Sequence, residues 1–158
     1  MTITQNTGKA AQNNIHKVVL LRVGIDSGSG GMQGPIFAGE TFEFIPINSE
    51  RGDRLGRTYG NTSGRHGRKM IEYFFGAHKE RMRNAFLHFD PEFKTYTYGD
   101  PTRPKQSLKR LAHGDWLVFY AGLKGWGDCR TAPGLYIIGF FVVEDAGFHP
   151  NKKQWCYR

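Results

Sequence analysis

The spacing of apolar and polar positions changes several times along this chain, and each change marks an element. "HKVVLLRVGI" (16–25) is a short, β-branched apolar run closed by glycine, the pattern of a mostly buried strand. "TFEFIPI" (41–47) alternates through Phe42 and Phe44 and predicts a second strand with Pro46 at its end. In "RKMIEYFFGAHKERMRNAFLH" (68–88) the period lengthens. Ile71, Phe74, Phe75, His78, Met82 and Phe86 recur at three- and four-residue steps, which predicts one main amphipathic helix, ended by Asp90-Pro91. "FKTYTYGDPTRPK" (93–105) reads as a strand fragment and a turn. "SLKRL" (107–111) reads as one helical turn capped by Ser107. "HGDWLVFYAGL" (113–123) begins with a tight turn and becomes a strand. "LYIIGFFVVED" (135–145) is the strongest strand pattern in the chain.

No internal repeat and no linker interrupts this order, so residues 16–158 read as a single α+β domain behind a flexible leader, 1–15. A chain of 158 residues is long enough for one real core. Its 39% hydrophobic and 14% aromatic content sets it apart from disordered tails. "KVVLL" and "LYIIGFFVV" are too short to span a bilayer. "MTITQNTGKAAQNN" lacks the apolar core of a secretory signal. The two cysteines, Cys129 and Cys156, make no disulfide framework, which fits a reducing cytoplasm. A zinc site using both with a histidine lacks the closely spaced ligand pairs of known sites, so no metal is expected.

Charge changes the picture. Twenty-two Lys and Arg against 14 Asp and Glu leave a net charge of +8, a surplus that favours polyanions such as nucleic acid or nucleotides; no membrane partner is expected. The surplus is concentrated in "RGDRLGRTYGNTSGRHGRK" (51–69), where Arg51, Arg54, Arg57, Arg65, Arg68 and Lys69 are opposed only by Asp53. This stretch has no apolar period and reads as a long basic loop. Either it contacts phosphate, which the overall charge favours, or it is an inert solvated face.

"IDSGSGGMQGP" (25–35) poses the chemical question. A P-loop needs a Lys-Ser/Thr pair after its glycines, and none follows. A dinucleotide fingerprint would use Gly28 and Gly30, but position 33 is Gln33 and Pro35 leads into another strand. Without a following helix, a backbone nest from Ser27 to Gly31 could still bind an anion. The alternative is that the glycines only permit positive φ in an irregular turn. Asp26, a carboxylate at a strand end beside flexible backbone, weighs towards function.

"LRVGIDSGSGGMQGPIFAGETFEFIPI", "HFDPEF" (88–93) and "TYGDPTRPKQSLKRLAHGDWLVFYAGL" resemble, in that order, the opening strand and glycine loop, the H-x-D-P segment and the later block of the third type of nucleotide modification associated domain. The likeness runs over roughly residues 17 to 145 and implies a role in handling modified nucleotides. "GDWLVFYAG" followed by "GLYIIGFFVVEDA" is more broadly similar to PUA-like folds, including EVE and YTH domains. That likeness implies a small, twisted, mostly antiparallel β-barrel with a pocket for a nucleobase. Within it, Asp115 can satisfy the N–H groups of the turn before its strand, and Trp116, Phe119 and Tyr120 alternate between faces. Trp126, in the glycine-flanked "KGWGDC", either stacks on a base or forms a lid over the core. Tyr96 and Tyr98 raise the same choice.

Acids and bases are available in Asp26, His88, Asp90, Asp100, Asp115 and Asp128, but no Ser-His-Asp, zinc-deaminase or nucleophilic cysteine pattern joins them. His88 and Asp90 are more at home in turn hydrogen bonding. The leading expectation is a binding module that recognises a modified nucleobase in DNA, RNA or a free nucleotide. The alternative is an enzyme acting on a nucleotide, with Asp26 as its catalytic carboxylate. The expected ligand-facing set is Arg22, Asp26, Ser27, Gly30, Gly31, Tyr98 and Trp126. The expected phosphate set is Arg57, Arg65, Arg68 and Lys69. No cofactor is expected, and the oligomeric state stays open.

Overall fold

A computed structural model describes residues 16–28, 31–50, 55–100, 106–149 and 154–157. Its spine is the ten-residue strand β6 (Trp116–Gly125), with β7 (Gly134–Val142) antiparallel along one edge. Two strands share the other edge. β1 (Val18–Arg22) runs parallel to residues 116–120, and β2 (Gly34–Ile36) runs parallel to residues 123–125. Beyond this sheet, β3 (Ile47–Ser49) pairs with β4 (Phe86–His88), and β5 (Tyr98–Asp100), β9 (Gln154–Tyr157) and β8 (Ala146–His149) form a third sheet in that order.

The α+β expectation therefore holds, but the barrel does not. Three separate sheets mix parallel and antiparallel pairs, and none closes on itself among the described residues. The physical reason lies in β1 and β2. Both spend their hydrogen bonds on β6, and the chain that joins them leaves the sheet instead of curling it. The edge of β6 at Ala121 and Gly122 is left to that joining loop.

The expected helix over 68–88 breaks into a 3-10 turn, Met70–Tyr73, the seven-residue α1, Gly76–Met82, and strand β4. Phe74 and Phe75 are extended, and Gly76 has a positive φ. Tyr73 and Phe74 are both fully buried while Phe75 is 64% exposed. In a strand-like backbone successive side chains point to opposite sides, and the extended step at Phe74 and Phe75 is what turns the Phe75 ring away from the core that holds Tyr73 and Phe74. The second expected strand is displaced too. Only Phe42 bridges to Ile36, and the ladder begins at Ile47, after Pro46, which has no N–H to give. "SLKRL" overlaps the short α2, Gln106–Lys109.

Two cores result. Leu21, Val23, Leu117, Phe119 and Phe141 pack the inner face of the large sheet against Leu108 and Leu111. Ile25, Ile45, Tyr59, Tyr73, Phe74 and Leu87 form the second core around α1 and the β3–β4 pair. Val23 and Ile25 belong to different cores, and the turn between them is Gly24, at φ +74°. A Cβ there would lie 3.0 Å from the Phe44 ring.

Asp115 fastens β1 to the start of β6. Lys17 donates its backbone N–H to Oδ1 at 2.8 Å, and Ala112 donates its own to Oδ2 at 2.9 Å. Burial pushes this carboxyl up, but the two N–H donors, with Lys17 and His16 nearby, prevail and hold it below the ordinary value of 3.8. Because the folded pKa is the lower one, this stabilisation is complete above the unfolded value and is lost as pH falls through the folded one. Asp115→Asn is expected to cost about 1–3 kcal/mol at neutral pH and to flatten the acid limb of a stability-against-pH curve measured by urea unfolding. An unchanged acid limb would remove Asp115 from this role.

Candidate functional site: the cleft between the glycine loop and helix α1

Residues 23–33 leave and rejoin the same edge of β6. Val23 still donates to Tyr120 O at 2.9 Å, and Ile25 then donates to Ile45 O at 2.9 Å. A β-bulge between Phe119 and Tyr120 lies level with this departure. Asp26 shapes the turn that follows. Its Oδ1 accepts the Gly28 N–H at 2.7 Å, its Oδ2 pairs with Arg22 Nε at 2.9 Å, and its carbonyl accepts from Met32 N at 3.1 Å. The loop lies along β6 here: a Cβ on Gly122 would meet Gln33 and Asp26 at ordinary contact distances of 3.4–3.6 Å.

The loop faces α1 across an open cleft of about 490 Å³, lined by Ser27, Gly28, Gly31, Asn48, His78, Arg81, Met82 and Ala85. Gly31, at φ +73°, sits against the His78 ring. A Cβ there would be 3.1 Å from Nε2. His78 and Arg81 are three residues apart on α1, which brings them onto one face. Arg81 Nη2 lies 2.6 Å from His78 Nδ1. A guanidinium can only donate, so Nδ1 is the acceptor in this contact, and Nε2 lies on the side of Gly31. The cleft thus presents a propped guanidinium, an imidazole, the Ser27 hydroxyl and the Asn48 amide over an apolar floor of Met82 and Ala85.

The expected ligand set divides. Ser27 and Gly31 line the cleft, and Arg22 and Asp26 brace it from behind. Gly30 lies outside the described residues. One N–H of the expected nest, that of Gly28, is taken by Asp26. Tyr98 packs on Phe119 at 5.6 Å in the first core, and Tyr96 meets Phe141 edge-on. Trp126 meets Tyr73 edge-on at 5.4 Å and stacks on Phe75 at 5.1 Å. Neither Tyr98 nor Trp126 lines the cleft. Among the other acids, Asp90 accepts the Gly99 N–H at 2.9 Å and stands 3.6 Å from His88. His78, Arg81 and Asn48 were not expected. The i,i+3 spacing of His78 and Arg81 was the available signal, but His78 also fits the apolar stripe.

Part of the basic loop is held by a buried acid. Glu43, 3% exposed, accepts the N–H groups of Arg65 and His66 at 2.9 and 3.1 Å and faces His66 Nδ1 at 3.2 Å. Gly64 lies so near that a Cβ would overlap the Glu43 carboxylate. The same carboxylate acts on Tyr73, whose phenol is pushed up to about 12 by burial first and by Glu43 next. This arrangement leaves Arg65, Arg68 and Lys69 exposed. Arg68 is within 3.9 Å of Glu72. Arg57 is spent differently, lying over the Phe89 ring at 4.1 Å and 3.7 Å from Glu92.

Fold and cleft define a small mixed α+β domain that sets cationic and hydrogen-bond-donating side chains around a glycine loop. The chain belongs to the nucleotide modification associated domain 3 family, whose model matches residues 17–155, and this ties it to nucleotide modification. No curated protein and no solved structure matches it, so the PUA-like likeness rests on the sequence alone. No helix among the described residues is long and apolar enough to cross a membrane.

The packing of Trp126 sets a test of its two readings. Trp126→Ala is expected to cost about 2–4 kcal/mol, as removal of a half-buried aromatic does, measured by urea unfolding followed by circular dichroism. Phe75→Ala, at an exposed ring, is expected to cost under about 1 kcal/mol. A Trp126→Ala protein as stable as the wild type would return Trp126 to the base-stacking reading.

Proposed function

We propose that this domain binds nucleic acid or a nucleotide, seating a phosphate in the cleft and reading a modified base beside it. The observation that carries this is Arg81, fixed by His78 at the wall of a cleft whose other polar groups, Ser27 and Asn48, are uncharged. A held guanidinium keeps N–H groups for an anion and loses little side-chain entropy on binding it. The cleft's volume lies in the range of small-molecule sites. The Asn48 amide offers a donor and an acceptor to a base edge. Arg65, Arg68 and Lys69 supply contacts to neighbouring phosphates, with positions fixed by the backbone that Glu43 holds. The family's tie to nucleotide modification supports a modified base as the feature read.

The enzymatic alternative, with Asp26 as catalytic carboxylate, has less support. Both Asp26 oxygens already serve Arg22 and Gly28, so freeing one for proton transfer would loosen the loop that forms the cleft.

Affinity for short single-stranded oligonucleotides, with and without modified bases, tests the proposal by fluorescence anisotropy. Arg81→Ala is expected to weaken binding about 10- to 100-fold and to lower the salt slope by about one. Arg65→Ala with Arg68→Ala is expected to weaken all sequences alike. Wild-type affinity in Arg81→Ala would overturn the cleft as the phosphate site. Product appearing in mass spectra of the same mixtures, and lost in Asp26→Asn, would decide for the enzyme.

A further inference from the structure

One face of the large sheet packs the first core. The other carries apolar side chains into solvent. Val18 and Leu20 of β1 are 55% and 61% exposed, and Ile137, Phe140 and Val142 of β7 are 69%, 54% and 48% exposed. The register aligns them in rows across three strands. Val18, Trp116 and Val142 form one row, and Leu20, Val118 and Phe140 form the next. The Trp116 and Phe140 rings stack at 4.9 Å, so part of the face is already packed. With Leu135, also 60% exposed, the face offers on the order of 700–800 Å² of apolar area. That exceeds the largest patch on most monomers and equals what one partner contributes to a standard interface.

We propose that this face binds a second copy of the chain, sheet against sheet, in a two-fold symmetric dimer. The area matches an interface of standard size. These two rows contain no charged side chain, and Arg22, in the next row with Tyr120 and Ile137, is already paired with Asp26, so placing one face on the other buries no unpaired like charge in a protein of net charge +8. A two-fold axis lays the same rows of both copies on one another, the self-complementary contact such an axis requires. Sheets packed this way interdigitate side chains at about 10 Å separation, which the branched and aromatic residues here suit.

Sedimentation velocity of the full chain from about 1 to about 200 µM tests the dimer, with a dissociation constant in the micromolar range or tighter expected. Ile137→Asp and Phe140→Asp, both at exposed positions, are expected to raise that constant at least about 100-fold while leaving the circular dichroism spectrum unchanged. A wild-type protein that stays monomeric across the range overturns the proposal, whatever the variants do. A dimer that persists in both well-folded variants overturns the assignment to this face. A wild-type monomer whose fluorescence is quenched by single-stranded DNA, with the quenching lost in Phe140→Asp, overturns it in favour of nucleic acid on the sheet.

Discussion

Everything around the cleft depends on one constraint of pairing: β1 and β2 are both parallel to β6 and share one of its edges. Two residues of β6, Ala121 and Gly122, separate the end of one register at Tyr120 from the start of the other at Leu123, a rise of roughly 10 Å. Eleven residues, 23–33, must fit that span, so they arch out of the sheet. The glycines are where the arch turns most sharply. Gly24 crosses from one core to the other, and Gly31 brings the backbone against His78. The arch becomes one wall of the cleft, and α1 becomes the other.

Three carboxylates hold this architecture in the same manner. Asp115, Glu43 and Asp26 each accept backbone N–H groups from a turn that has no ladder to satisfy them. Turn N–H groups that would otherwise go unpaired are satisfied, and each bond is strengthened by the acid's charge. The consequence is electrostatic. Acids committed to the interior leave the surplus of lysine and arginine facing outward, most clearly at Arg65, Arg68 and Lys69. A surface of that kind attracts anions, which suits the nucleotide or nucleic-acid ligand proposed above.

Much of this was legible in the sequence. Continuous apolar runs marked β1, β6 and β7, but only β6 is largely buried; the expectation of a mostly buried β1 fails, because β1 and β7 turn alternate apolar residues to solvent. The Asp115 turn was readable because an acid before a buried strand has few other uses. The glycine loop was recognisable as a loop without a P-loop lysine, and Ser27 and Gly31 do face the cleft. The helix over 68–88 was misread because "YFFGAH" has helical spacing, while the adjacent Tyr73 and Phe74 are both buried in one core, Phe75 is exposed, and Gly76 permits the break. The β8–β9 pair carries too little apolar period to stand out. Trp126 left two readings open because flanking glycines say nothing about which rings lie beneath. His78 and Arg81 were obscured because their role depends on a loop some fifty residues earlier in the chain.

Backbone amide shifts measure the central claim most directly, since they locate a ligand without perturbing the protein. Titration of ¹⁵N-labelled protein with a deoxynucleoside 5′-monophosphate, and then with a short oligonucleotide, is expected to move the amides of Ser27, Gly28, Gly31, Asn48, His78 and Arg81 first and furthest. The oligonucleotide alone is expected to extend the changes to Arg65, Arg68 and Lys69. Saturating shifts confined to other surfaces, with the cleft amides unmoved, would contradict the account.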